Sequence, residues 1–78
     1  VMVRVRFFAA AEDAAGTPDE ERQETTLAAL RAALIADHPA LTGVIDRCSI
    51  LVDGSRHDGD ADLAGARTVD VLPPFAGG

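Results

Sequence analysis

The sequence predicts an α+β fold, a small mixed sheet of about four to five strands with one main helix packed on one face. Three observations predict it. Two segments alternate apolar and polar residues, one at the start of the chain (Val3, Val5, Phe7) and one near its end (Val69, Val71). Between them, "TLAALRAALIADHP" carries Leu27, Leu30 and Leu34 at helical spacing, one apolar stripe that needs a sheet face to cover. The chain has 78 residues with an apolar fraction of 47%, enough for one small domain. A chain of this size buries about 60–65% of its unfolded surface. With no Trp or Tyr and only three Phe, the core must be aliphatic.

Each element follows from its local pattern. In "MVRVRFF", Val3, Val5 and Phe7 point to the core, and Arg4, Arg6 and Phe8 point away, the period-2 signature of a half-buried strand. "AAAEDAAG" predicts a short helix ended by Gly16 at C′. The polar run "EERQETT" reads as an exposed edge strand. Thr26 is placed to cap the main helix, and Pro39 ends it near Asp37. Leu41, Val44 and Ile45 read as a second small apolar patch under an irregular connection. In "CSILVDG", Cys48, Ile50 and Val52 share the inner face, with Ser49 and Leu51 outside, and Asp53-Gly54 signals a tight turn after which "SRH" pairs back briefly. "DGDADLAGA" is loop, with Leu63 plugging the core. In "RTVDVL", Val69 and Val71 point inward and Thr68, Asp70 and Leu72 outward, and Pro73-Pro74 ends the strand because proline cannot donate to a ladder.

Composition excludes several function classes. The net charge of −6 opposes nucleic-acid binding, which needs basic groups along phosphates. No apolar run approaches the roughly 20 residues of a membrane span, so no membrane partner is expected. The single cysteine forms no internal disulfide, which fits a reducing cytoplasm. All seven basic residues are arginine, so the chain offers no side-chain amine to which a second copy could be joined. His38 and His57 read as solvated surface histidines, and Cys48 as a buried structural thiol. "DGDADL" fails the calcium-loop pattern, since its sixth and twelfth positions from Asp58 hold Leu63 and Val69. No metal site is expected.

The chemistry concentrates in "VLPPFAGG". Pro73 and Pro74 favour a stiff, extended exit from the last strand. Residues 73–78 reach at most about 20 Å at roughly 3.3–3.6 Å each, enough to enter a partner's cleft. Gly77 and Gly78 lack Cβ atoms and pass a narrow channel. A carboxylate is a poor electrophile, so the Gly78 end needs activation, typically as an acyl-adenylate made with ATP, after which sulfide or an amine displaces AMP. Phe8, Leu51 and Leu72 project from the face opposite the core, and Phe8 and Leu72 come together if the first and last strands are neighbours. A cluster at the base of a projecting tail reads as a docking patch. These observations divide the chain into a domain over 1–72 and a tail over 73–78.

Phe7-Phe8-Ala9, Gly16, Thr26-Leu27, His38-Pro39, Val52-Asp53-Gly54, Leu63 and the ending from Val71 to Gly78 together resemble the MoaD/ThiS family of sulfur-carrier proteins, most of all its MoaD branch. The resemblance spans the whole chain, and its Pro-Pro-x-x-Gly-Gly ending is the specific part. It implies a ubiquitin-like β-grasp fold. It also implies that a MoeB-like adenylyltransferase of the ubiquitin-activating type adenylates Gly78 with ATP and Mg²⁺, and that a sulfur donor then makes the thiocarboxylate. A MoaE-like large subunit of molybdopterin synthase would receive the tail and its sulfur for molybdopterin, in the biosynthesis of molybdenum cofactor. This chain would be the non-catalytic small subunit and bind no cofactor itself. Partner contacts would come from Phe8, Leu51, Leu72, Pro73, Pro74 and Phe75. The chain departs from the family at Glu12, where an Arg is frequent, and at Gly65-Ala66-Arg67, where the turn is often Asp-Gly-Asp. A carrier for thiazole or cysteine biosynthesis, a ubiquitin-like modifier, and a plain binding module with an inert tail are the alternative readings.

Overall fold

A computed structural model describes residues 2–74. The strands are β1 (Val3–Phe7), β2 (Asp19–Arg22), β3 (Ser49–Val52), β4 (Ser55–Arg56) and β5 (Thr68–Leu72), and the α-helices are α1 (Ala10–Ala15) and α2 (Leu27–Asp37). Two 3₁₀ turns, Pro39–Leu41 and Ile45–Arg47, join α2 to β3. The strands form one sheet in the order β2-β1-β5-β3-β4. Its centre is the parallel pair of the first and last strands, with Val5 opposite Val69 and Phe7 opposite Val71. The other pairings are antiparallel.

The inner sheet face and α2 close one aliphatic core. Val3, Val5, Phe7, Ile50, Val52, Val69 and Val71 join Leu27, Leu30 and Leu34 in a single buried cluster. Every inward position expected from alternation lies in it except Cys48. Strand β3 begins only at Ser49, so Cys48 instead ends the second 3₁₀ turn, half-buried, with its Sγ donating to the Val44 carbonyl at 3.2 Å. Burial pushes the thiol's pKa up. Leu41 and Ile45 are not a separate patch. The 3₁₀ turns fold them into the main core, where each is essentially inaccessible.

Local chemistry starts and stops the elements. Gly16 takes the left-handed conformation that ends α1, at φ 76°. Thr26 caps α2, its Oγ1 accepting from the Ala29 N–H at 3.2 Å. The acidic loop supplies a second cap, because Asp60 accepts from the Ala28 N–H at 2.8 Å. The Asp58–Leu63 stretch is therefore more than a solvated loop. Asp53 and Gly54 both have positive φ, 49° and 86°, as a two-residue hairpin turn between β3 and β4 requires. The Asp53 carboxylate also accepts from the N–H groups of Thr68 and Arg67, both at 2.9 Å, and these bonds hold its pKa below the usual range.

Edge strand β2 is tied down by charge. Arg22 reaches Glu20, Glu24 and Asp37, at 3.0, 3.0 and 2.6 Å, which joins β2 to the end of α2. His38 is not a free surface histidine, since its Nε2 lies 2.6 Å from Glu20 and its ring stands edge-on to Phe7 at 6.1 Å. His57 is also half-buried. The expectation missed the contacts of His38 because Glu20 and Phe7 are far from it in sequence. No helix among the described residues is long and apolar enough to cross a membrane.

Candidate docking site at the root of the tail

The parallel pairing of β1 and β5 brings the ends of the first and last strands to one edge of the molecule. The ladder runs one residue past β1, where the Phe8 N–H donates to the Val71 carbonyl at 3.2 Å. Phe8 is thus held beside Leu72. The chain then turns sharply, and Ala9 adopts φ 51° and ψ −125°, a region that strains a residue with a Cβ. The Phe8 carbonyl accepts from the Ala11 N–H at 3.0 Å, so α1 starts directly from this residue. A short strand, a strained turn and a helix start together fix where the Phe8 ring stands.

Phe8, with Leu72, Pro73, Pro74, Ala9, Ala10 and Ser49, lines a groove of about 770 Å³. Phe8 is 39% exposed, and with Met2 it is one of two large apolar side chains well exposed among the described residues. Leu72 and Pro73 are half-buried, while Pro74 is exposed. A second groove of about 420 Å³ lies against the same prolines, lined also by Ala10, Thr42, Gly43, Val44 and Arg47. The Pro73-Pro74 strut leaves the sheet between the two.

The structure brings Phe8, Leu72, Pro73 and Pro74 together but leaves Leu51 out of the groove. Leu51 is on the outward face as alternation predicts, half-buried and opposite Asp70 in the register, one pleat away from the Ser49–Leu72 pair. Ser49, opposite Leu72 in the register, lines the groove and was not anticipated. Ala9 and Ala10 also line it and were not anticipated; Ala9 gives no signal in sequence because its conformation is imposed by the turn. Asp70 differs more. It is on the outward face but only 8% exposed, since Arg6 grips it at 2.6 and 2.8 Å. Phe75, Gly77 and Gly78 lie outside the described residues. Among the described residues, no group of three or more His, Cys, Asp or Glu side chains is placed to hold a metal ion.

The family model described as the ThiS family matches residues 5–78. The chain belongs to the ThiS family. The match runs from the first strand through the Gly77-Gly78 end, and the resemblance to MoaD/ThiS-type sulfur carriers read from the sequence holds at that level. No curated protein matches in sequence. Among solved structures, small archaeal modifier protein 1 from Methanosarcina acetivorans is 24% identical, with a TM-score of 0.76 over 100% of this chain and 97% of that one. A protein assigned as molybdopterin converting factor subunit 1 from Pyrococcus furiosus is 21% identical, with a TM-score of 0.76 over 96% of this chain and 99% of that one. A chain of the complex of subunits 1 and 2 of molybdopterin-converting factor from Helicobacter pylori is 24% identical, with a TM-score of 0.65 over 100% of both chains. These likenesses establish the ubiquitin-like β-grasp fold.

Proposed function

We propose that this ThiS-family chain is a sulfur carrier that acts as the small subunit of a molybdopterin synthase. The observation that carries the reading is the position of the tail's root. Pro73-Pro74 leaves the end of central strand β5 beside the exposed Phe8 and Leu72, so a protein that docks on the groove also receives the tail. In the proposed chemistry, a carboxylate oxygen of Gly78 attacks the α-phosphorus of Mg²⁺-bound ATP on a MoeB-like adenylyltransferase, and pyrophosphate leaves. Sulfide from a sulfur donor then attacks the acyl carbon, the bond to the AMP phosphate breaks, AMP leaves, and Gly78 carries a thiocarboxylate. The tail enters a MoaE-like large subunit, which supplies the catalytic groups for transfer to the pterin. The chain's own contribution is a thin end without side-chain bulk and a rigid docking handle.

Support for the acceptor comes from the fold's likeness to converting-factor small subunits, together with the apolar groove at the tail root. The test is intact-mass spectrometry after incubation with ATP, Mg²⁺, the host's adenylyltransferase and a sulfur donor. The expected result is replacement of one oxygen by sulfur at Gly78, and its loss when Gly78 is deleted. Thiocarboxylation that persists in the deletion variant sinks the reading. A wild-type chain that is thiocarboxylated but does not bind the large subunit remains a carrier and belongs to another acceptor.

A further inference from the structure

The outward face of the sheet holds an arrangement that the groove does not explain. Asp70 stands in central strand β5, on the face that α2 does not cover, yet it is 8% exposed. Its cover is the Arg6 side chain, whose Nε and Nη2 donate to the two carboxylate oxygens at 2.6 and 2.8 Å. Nη1 has no hydrogen-bond partner among the described residues, and the Arg6 side chain remains 47% exposed. Arg4, its neighbour on the same face, is bound differently: Nη1 touches Asp19 at 2.8 Å and Nη2 lies 3.7 Å from Glu21, both exposed acids of the edge strand.

The pair is continuous with the docking face. Asp70 is opposite Leu51 in the register, and Leu72, which lines the groove, follows two residues later on the same face. A carboxylate gripped in two places fixes the plane of the guanidinium. The two N–H groups of Nη1 are then aimed before any partner arrives, and little side-chain freedom is lost on docking. Because Asp70 neutralises Arg6, the pair attracts no carboxylate strongly. Its free donors suit an uncharged oxygen.

We propose that Arg6, held by Asp70, is a specificity determinant of the docking face, presenting Nη1 to an uncharged oxygen acceptor, a main-chain carbonyl or side-chain amide, on the large subunit that takes the tail. The inference rests on the large-subunit reading above. It differs from a purely structural role in a measurable way. An ion pair that only joined β1 to β5 is replaceable by an apolar pair with little loss, because a pair whose arginine is half exposed contributes little to stability.

The experiment titrates the host's purified large subunit with the wild-type chain, the Arg6→Leu/Asp70→Ala double variant and the Arg6→Lys variant, with a thermal melt of each. The double variant should melt close to the wild-type temperature and bind about tenfold weaker or worse. Arg6→Lys keeps a cation on Asp70 without the planar third nitrogen, and should also bind several-fold weaker. The inference is overturned if the folded double variant binds as tightly as wild type or tighter. If the double variant does not fold, Arg6→Lys decides, and wild-type affinity in it overturns the inference. A wild-type chain that does not bind the large subunit at all removes the acceptor reading and this inference with it. Wild-type binding with unaffected variants removes only the inference.

Discussion

The two faces of one sheet have opposite characters. The inner face is closed: its valines, Ile50 and Phe7 meet the leucines of α2 in one apolar cluster. The outer face is open and mixed, with Phe8 exposed, Leu51 and Leu72 half-buried, and Asp70 covered by a half-exposed Arg6. The backbone is shared, and so is the alternation that sorts residues between the faces. What differs is the presence of a helix on one side only. A face covered by the chain's own helix serves stability, and a face left uncovered at the root of the tail is free to serve a partner. Stability and binding should therefore separate cleanly by face.

The largest expected effect tests the closed face. Leu30→Ala removes a fully buried side chain and should destabilise the fold by about 2–5 kcal/mol. For a domain of this size that is a large share of the total. A denaturant titration measures it, and a loss well under 1 kcal/mol would show a core looser than its packing. The counterpart on the open face is Phe8→Ala. Its melting temperature should stay close to wild type, while binding to the large subunit weakens by about 2 kcal/mol, the usual loss for an aromatic anchor. Equal losses in stability and binding would break the distinction between the faces.

The smallest expected effect lies at the rim. The fold holds the Asp53 pKa below its ordinary value, first through the Thr68 N–H and then through the Arg67 N–H. A depressed pKa stabilises the fold at pH values above the ordinary carboxylate pKa. That stabilisation is lost as pH falls from there through the folded value. Asp53→Asn keeps a residue that tolerates positive φ and removes the titration. Melting temperatures measured from neutral pH down to about pH 3 should fall less steeply in the variant than in wild type, given the ordinary carboxylate range. Parallel curves would assign the acid sensitivity to the other carboxylates, Glu24 foremost, whose pKa Arg22 lowers.

Much of the fold was legible before any coordinates. Alternation assigned Val3, Val5, Phe7, Val69 and Val71 to the core, and all are buried. The leucine stripe, the Thr26 cap, the Gly16 end and the Asp53-Gly54 turn were each readable because their causes are local: a period, a hydroxyl at the right offset, a residue without a Cβ, a pair that tolerates positive φ. The site was legible in part. Phe8 and Leu72 could be named as outward residues, but not placed side by side with certainty, since that required β1 and β5 to be neighbours. Leu51 was grouped with them because alternation reports the face and not the position along it. Cys48 was assigned to the inner face because the same alternation was extended one residue before the strand begins.

The sequence by itself determined which residues are apolar toward one side, where the helices begin and end, and that Pro73-Pro74 ends the last strand. Those are properties of neighbours in the chain. Only the tertiary structure decided that the first strand lies parallel to the last, 64 positions apart at Arg6 and Asp70. It also decided that Asp70 is covered, that His38 meets Glu20 across the β2 edge, and that Asp60 caps a helix 32 residues earlier. Those contacts form between segments whose separation in sequence carries no period and no pattern. They exist because burying the inner face against α2 sets the strand order, and the strand order then determines which outward side chains meet.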